Sequence, residues 1–132
     1  MTLRPLSPTV SVSAQLSPAV MPALAAAGFG RVISNRPDGE DPGQPTAAEM
    51  EAAARDAGLS FAWIPVSGLP APDQVAAVGE LLADGVPTVM FCRSGMRSTS
   101  AWAMSERLKG ADAEDLRATA AAAGYDLGRV PL

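Results

Sequence analysis

The chain has 132 residues, 48% hydrophobic and 18% charged, with a formal net charge of −4 that argues against nucleic acid, whose phosphates require a basic face. This length suits one domain with a core that needs no staples, and no apolar run approaches the roughly 18 residues of a membrane-spanning helix. With no histidine and a single cysteine, Cys92, the chain has no histidine-based metal site, no Ser-His-Asp or Cys-His machinery, no internal disulfide and no C-x-x-C redox pair.

Residues 1–8 carry Arg4 and two prolines without a following apolar stretch. The segment is expected to be flexible, and it does not read as a secretory signal. A cytoplasmic location is expected, where a lone thiol stays reduced. Alternation over Thr9–Ser13 predicts a first strand. Ser17 and Pro18 supply an N-cap and a proline at the first helical position, predicting a helix to Ala27 that Gly28 closes. Pro22 should disturb its first turn. Gly30–Asn35 predicts a second strand, followed by a polar loop from Arg36 to Gly43. Thr46 and Glu49 form a capping box for a helix to Ala57, stopped by Gly58. Ser60–Val66 predicts a third strand and Asp73–Ala83 a helix. Pro87–Cys92 is too short and apolar for a helix and predicts a buried central strand. Helices over Arg97–Leu108 and Asp112–Ala123 complete the chain. Trp63 and Trp102 are expected to fill the core or line the cleft edge, and Tyr125 is expected to cover the sheet edge.

Strands alternating with helices predict one α/β domain over residues 1–132, with a small, mostly parallel sheet flanked by helices. Ligands of such sheets bind beyond the carboxyl ends of the strands. The loop after the second strand and the loop Arg93–Met96 after the fourth are therefore expected to meet at one site.

The segment Phe91-Cys92-Arg93-Ser94-Gly95-Met96-Arg97-Ser98-Thr99 carries the chemistry. A strand ends at a cysteine, a tight loop with one glycine follows, and a helix starts near an arginine. Converging loop amides and a helix N-terminus make an anion cradle that favours thiolate over thiol. In this reading Cys92 is the nucleophile, and Arg97 offers a planar fork to an oxyanion. Gly95 lets the backbone approach the anion, and Arg93 adds positive charge. With Arg93 and Gly95, Ser94, Met96 and Ser98 are candidate substrate-binding residues, and Ser98 could also donate to the sulfur. Asn35 and Arg36, at the end of the second strand, are candidate substrate contacts, and Asp38 or Glu40 a candidate general acid. The reading requires a sulfur that substrate can reach. No cofactor or metal is expected.

The loop Cys92-Arg93-Ser94-Gly95-Met96-Arg97-Ser98 closely resembles those of rhodanese-type sulfurtransferases, one residue shorter than the C-x-x-x-x-x-R of cysteine phosphatases. Ser13-Ala14-Gln15-Leu16-Ser17, Gly28-Phe29, Val32-Ile33-Ser34-Asn35-Arg36-Pro37-Asp38-Gly39-Glu40 and Ile64-Pro65-Val66 resemble one bacterial family, the phosphatase-like domain of beta-lactamase-hydrolase-like proteins, also labelled sulfur transferases. That resemblance runs from about residue 9 to Leu127. It implies a tyrosine-phosphatase-like fold, a role in sulfide metabolism and a metallo-hydrolase of the persulfide dioxygenase kind as partner. Ile64-Pro65-Val66-Ser67-Gly68-Leu69-Pro70 resembles the acid-bearing loop of tyrosine phosphatases, with Val66 in place of the aspartate. Valine cannot protonate a leaving oxygen, whereas thiolates and sulfite need no proton to leave. The leading expectation is therefore a persulfide-forming sulfurtransferase acting on a small anionic sulfane-sulfur donor. The alternative is a phosphatase that hydrolyses a phosphate ester through a cysteinyl-phosphate, and a further one is a non-enzymatic persulfide carrier or thiol sensor.

Overall fold

The computed structural model describes residues 1–132. Strands β1 (Arg4–Pro5), β2 (Val10–Ser13), β3 (Arg31–Ser34), β4 (Ser60–Trp63) and β5 (Thr88–Phe91) form one sheet in the order β1-β2-β5-β3-β4, parallel except for β1. Helices α1 (Met21–Ala26), α2 (Ala47–Asp56), α3 (Pro72–Leu82), α4 (Met96–Leu108) and α5 (Ala113–Ala122) cover its two faces. Successive strand residues point to opposite faces. Val32, Val89 and Phe91 pack with Met21, Leu24 and Met50 on one side. Ile33 and Met90 pack with Val78, Trp102 and Leu116 on the other. Both faces are thus apolar, which is why the central strands read as continuous hydrophobic runs. None of the helices is long and apolar enough to cross a membrane.

Three local expectations change. Residues 1–8 are not a loose lead-in: Arg4 and Pro5 pair antiparallel with Val12 and Ser11, and Leu6 is buried. The helix expected from Pro18 to Ala27 divides into a 3-10 turn, Pro18–Val20, and α1, because Pro22 has no N–H for a continuous helix. Trp63 is 45% exposed rather than in the core; its indole N–H donates to Arg36 O at 2.9 Å. Trp102 is buried as expected.

The register decides where the site forms. Phe91, the last residue of β5, lies between Ser13 of β2 and Ser34 of β3. Three consecutive chain exits therefore converge: Gln15 after β2, Asn35 and Arg36 after β3, and Cys92 after β5.

Candidate active site

The β5–α4 turn is built around Cys92. Gly95 caps α4 with φ +95°, a left-handed conformation that costs glycine little, and its N–H donates to Cys92 Sγ at 3.1 Å. Two carbonyls of the same turn are tied from outside. Arg93 O accepts the Gln15 N–H at 3.2 Å, and Ser94 O accepts the Tyr125 hydroxyl at 3.1 Å. Ser94 Oγ accepts the Met96 N–H. Cys92 itself has no exposed surface. The sequence reading requires a reachable sulfur; here Cys92 is fully buried, and its surroundings must yield before anything attacks or is attacked.

Arg97 presents five N–H directions, of which three are used. Its Nη1 donates to Glu40 Oε2 at 2.8 Å and to Val66 O at 2.7 Å, and its Nη2 donates to Glu40 Oε1 at 2.8 Å. The Nε edge is left for an anion. The hydrogen bond to Glu40 raises the Arg97 pKa above its ordinary value, and nearby Cys92 adds to the same shift. In return, Glu40 is lowered to about 2, first by its hydrogen bond to Arg97 and then by that to Arg36.

Arg36 is 5% exposed and grips three partners: Glu40 Oε1 at 3.0 Å, Gln15 Oε1 at 3.0 Å and Asp41 Oδ2 at 2.6 Å. Asn35 is wholly buried; its Nδ2 donates to Ile64 O at 3.0 Å and its Oδ1 accepts the Ser98 hydroxyl at 2.8 Å. It joins the ends of β3 and β4 to α4.

The two loops do meet, yet several residues stand differently from their expected roles. Asn35 and Arg36 are struts, since both are buried and their polar atoms are engaged within the protein. Ser98 gives its proton to Asn35 and not to the sulfur. Asp38 accepts the Ala47 N–H at 2.8 Å at the start of α2, so that carboxyl oxygen is engaged by the helix. Glu40 reaches the site, but a carboxyl at about 2 is ionised at neutral pH and has no proton to give. Arg93 points outward, with its side chain 68% exposed and Nε 3.4 Å from Asp41. Met96 is half-buried against the core at the first turn of α4. Val66 contributes its backbone alone: its carbonyl accepts from Arg97 and its N–H donates to Asn35 O. Tyr125 stands at the sheet edge as expected, with Arg4 of β1 facing its ring, and it also covers the Cys92 loop. Gln15, which the family pattern makes a candidate site residue after the first predicted strand, also joins the site through Arg36 and Arg93 O.

Glu40→Gln should release Arg97 and weaken oxyanion binding about tenfold, since a charge-assisted bidentate pair becomes neutral. The acid side has a definite sign. A carboxyl lowered in the folded state stabilises above its ordinary value of 4.5, and that contribution is lost as pH falls towards about 2. Acid unfolding curves should therefore separate from those of Glu40→Gln at neutral pH and converge below about 2.

A cysteine ending the central strand of a parallel sheet, a tight anion loop and an arginine opening the next helix define a cysteine-phosphatase-like α/β domain. The solved structures agree. A candidate phosphatase from Neisseria meningitidis superposes with a TM-score of 0.83 at 27% identity, over 98% of this chain and 93% of that one. Kinase-associated phosphatase, with its catalytic cysteine replaced by serine, matches at 0.70 and 13% identity over 89% and 79%, a likeness of fold alone. Residues 2–111 match the family described as beta-lactamase hydrolase-like protein, phosphatase-like domain, and the chain belongs to that family. It is 34% identical over 89% of its length to a beta-lactamase hydrolase-like protein of Agrobacterium fabrum, and 37% over 77% to one of Xylella fastidiosa. It spans only 28% and 24% of those relatives.

Proposed function

We propose that this domain is a cysteine-dependent phosphoric ester hydrolase. The observation that carries the reading is the Cys92 sulfur receiving a loop amide beside an Arg97 edge left free by Glu40. The family and the phosphatase fold support this reaction over the sulfur transfer that the short loop suggests. Cys92, as thiolate, attacks phosphorus and the ester P–O bond breaks, with the bond pair leaving on the alcohol oxygen. Arg97 balances charge on the equatorial oxygens. Water then attacks the cysteinyl phosphate, the S–P bond breaks, and phosphate leaves with the thiolate restored.

Neither candidate acid is placed to protonate the leaving oxygen: Asp38 is engaged by the Ala47 N–H, and Glu40 is ionised on Arg97. General acids contribute about 10²–10⁴-fold, so substrates whose alcohols leave unaided should dominate. Nitrophenyl phosphate should turn over at least about 10²-fold faster than a simple alkyl phosphate. Equal rates would reject this account of the site.

A second reading, the persulfide-forming sulfurtransferase, rests on the same missing acid. There Cys92 attacks the outer sulfur of thiosulfate, the S–S bond breaks, sulfite leaves as an anion, and the persulfide passes to a nucleophilic acceptor. Mass spectrometry of the protein after nitrophenyl phosphate, and separately after thiosulfate, discriminates the two. A phosphate adduct on Cys92 supports the first and a sulfur adduct the second. A single modification of Cys92 without turnover, together with complex formation with a partner, would point instead to a carrier or sensor. A metallo-hydrolase partner belongs to this proposal as well, on the resemblance to the longer relatives, and so does a cytoplasmic setting, in which a lone thiol stays reduced.

A further inference from the structure

We propose that the cleft beside the Cys92 loop is a second anion subsite, which takes the distal acidic group of a small two-headed substrate. The inference rests on the Cys92–Arg97 loop being the seat of the reacting oxyanion. The cleft has a volume of about 580 Å3, within the size range of small-ligand sites. Arg4, Ser13, Gln15, Ser17, Ser94 and Tyr125 are among its walls.

Contiguity is the first argument. Ser94 lies two positions after Cys92, and the Gln15 N–H holds Arg93 O, so the cleft and the anion seat share the loop as a common wall. A ligand anchored over the sulfur reaches the cleft by crossing Ser94.

Charge is the second. The chain carries a net −4, yet no aspartate or glutamate lines this cleft, and one arginine does. Arg31, Arg36, Arg93 and Arg97 are each paired with a carboxylate. Arg4 is not. Its Nη1 donates to Ala123 O at 3.0 Å, at the end of α5, and its guanidinium lies 5.9 Å from the centre of the Tyr125 ring. These contacts aim the group without neutralising it, leaving N–H donors for an oxyanion.

Rigidity is the third. Tyr125 is fixed by its bond to Ser94 O and stands so close to Gly95 that a Cβ there would meet its hydroxyl at 2.1 Å. Burial raises its pKa above the ordinary value, so it presents a neutral ring. Gly124 and Tyr125 lie beyond the residues 2–111 that match the family, so this wall comes from the chain's own last segment.

The test uses calorimetric titration of the whole chain with alkyl phosphonates and with bisphosphonates of increasing alkylene length. One bisphosphonate length should bind about tenfold tighter than its single-headed counterpart, the effect of one charge-assisted hydrogen bond in a partly exposed site. Arg4→Gln should remove that gain and leave single-headed phosphonate affinity unchanged, with thermal melting confirming the fold. If no length gains affinity, or if the gain survives in Arg4→Gln, the subsite is overturned while the oxyanion seat stands. If neither kind of phosphonate binds, the seat fails and the subsite with it.

Discussion

Cys92→Ser should abolish turnover by at least about 10³-fold while leaving the fold and oxyanion affinity close to unchanged. The side chain is wholly buried and nearly isosteric with serine, and the hydroxyl oxygen can accept the same Gly95 N–H that the sulfur accepts. Arg97 keeps Glu40 and Val66 O in the variant, so its free edge still meets an anion. The loss must then appear in kcat and not in binding, because a serine hydroxyl with no adjacent base is a far weaker nucleophile than a thiolate. Phosphonate titration and steady-state release of phosphate, measured on the same preparation, check both halves. Retained turnover would show that the loop positions an anion for some other attacking group. The burial of Cys92 also predicts its slow modification by iodoacetamide compared with a free thiol.

The sequence carried the fold because its signals are local. Val89-Met90-Phe91 is apolar on both faces, the glycines at 28, 58 and 110 punctuate helices, and Thr46 accepts the Glu49 N–H as its cap position implies. The Cys92–Arg97 loop was legible for the same reason. Roles that depend on distant partners were not. Glu40 looks like a free loop acid until Arg97, 57 residues on, takes both its oxygens. Asn35 looks like a substrate contact until Ser98, 63 residues away, closes on it. Tyr125 meets Ser94 across 31 residues, and nothing near it in the chain forecasts that contact. β1 was missed because two polar-facing residues have no period to read, and only the partner strand gives them structure. Polar residues at strand ends were correctly gathered to one place; which touch a ligand and which hold the scaffold is a matter of three-dimensional pairing.

Gly95→Ala should cost at least about 10²-fold in oxyanion affinity and turnover, because an angstrom of misplacement in such a loop has that effect. Two separable causes act. The backbone at φ +95° is strained for any residue with a Cβ, by roughly 1–2 kcal/mol. The new methyl would also sit 2.1 Å from the Tyr125 hydroxyl and 2.8 Å from its Cζ, forcing the ring off Ser94 O. Either movement carries the Gly95 N–H away from Cys92 Sγ. Tyr125→Ala removes the obstacle, so Gly95→Ala made in that background isolates the backbone contribution. If the double variant recovers part of the binding lost by Gly95→Ala, the tyrosine is the wall that keeps the loop closed. If it recovers none, the left-handed turn alone sets the amide, and the ring serves only the neighbouring cleft.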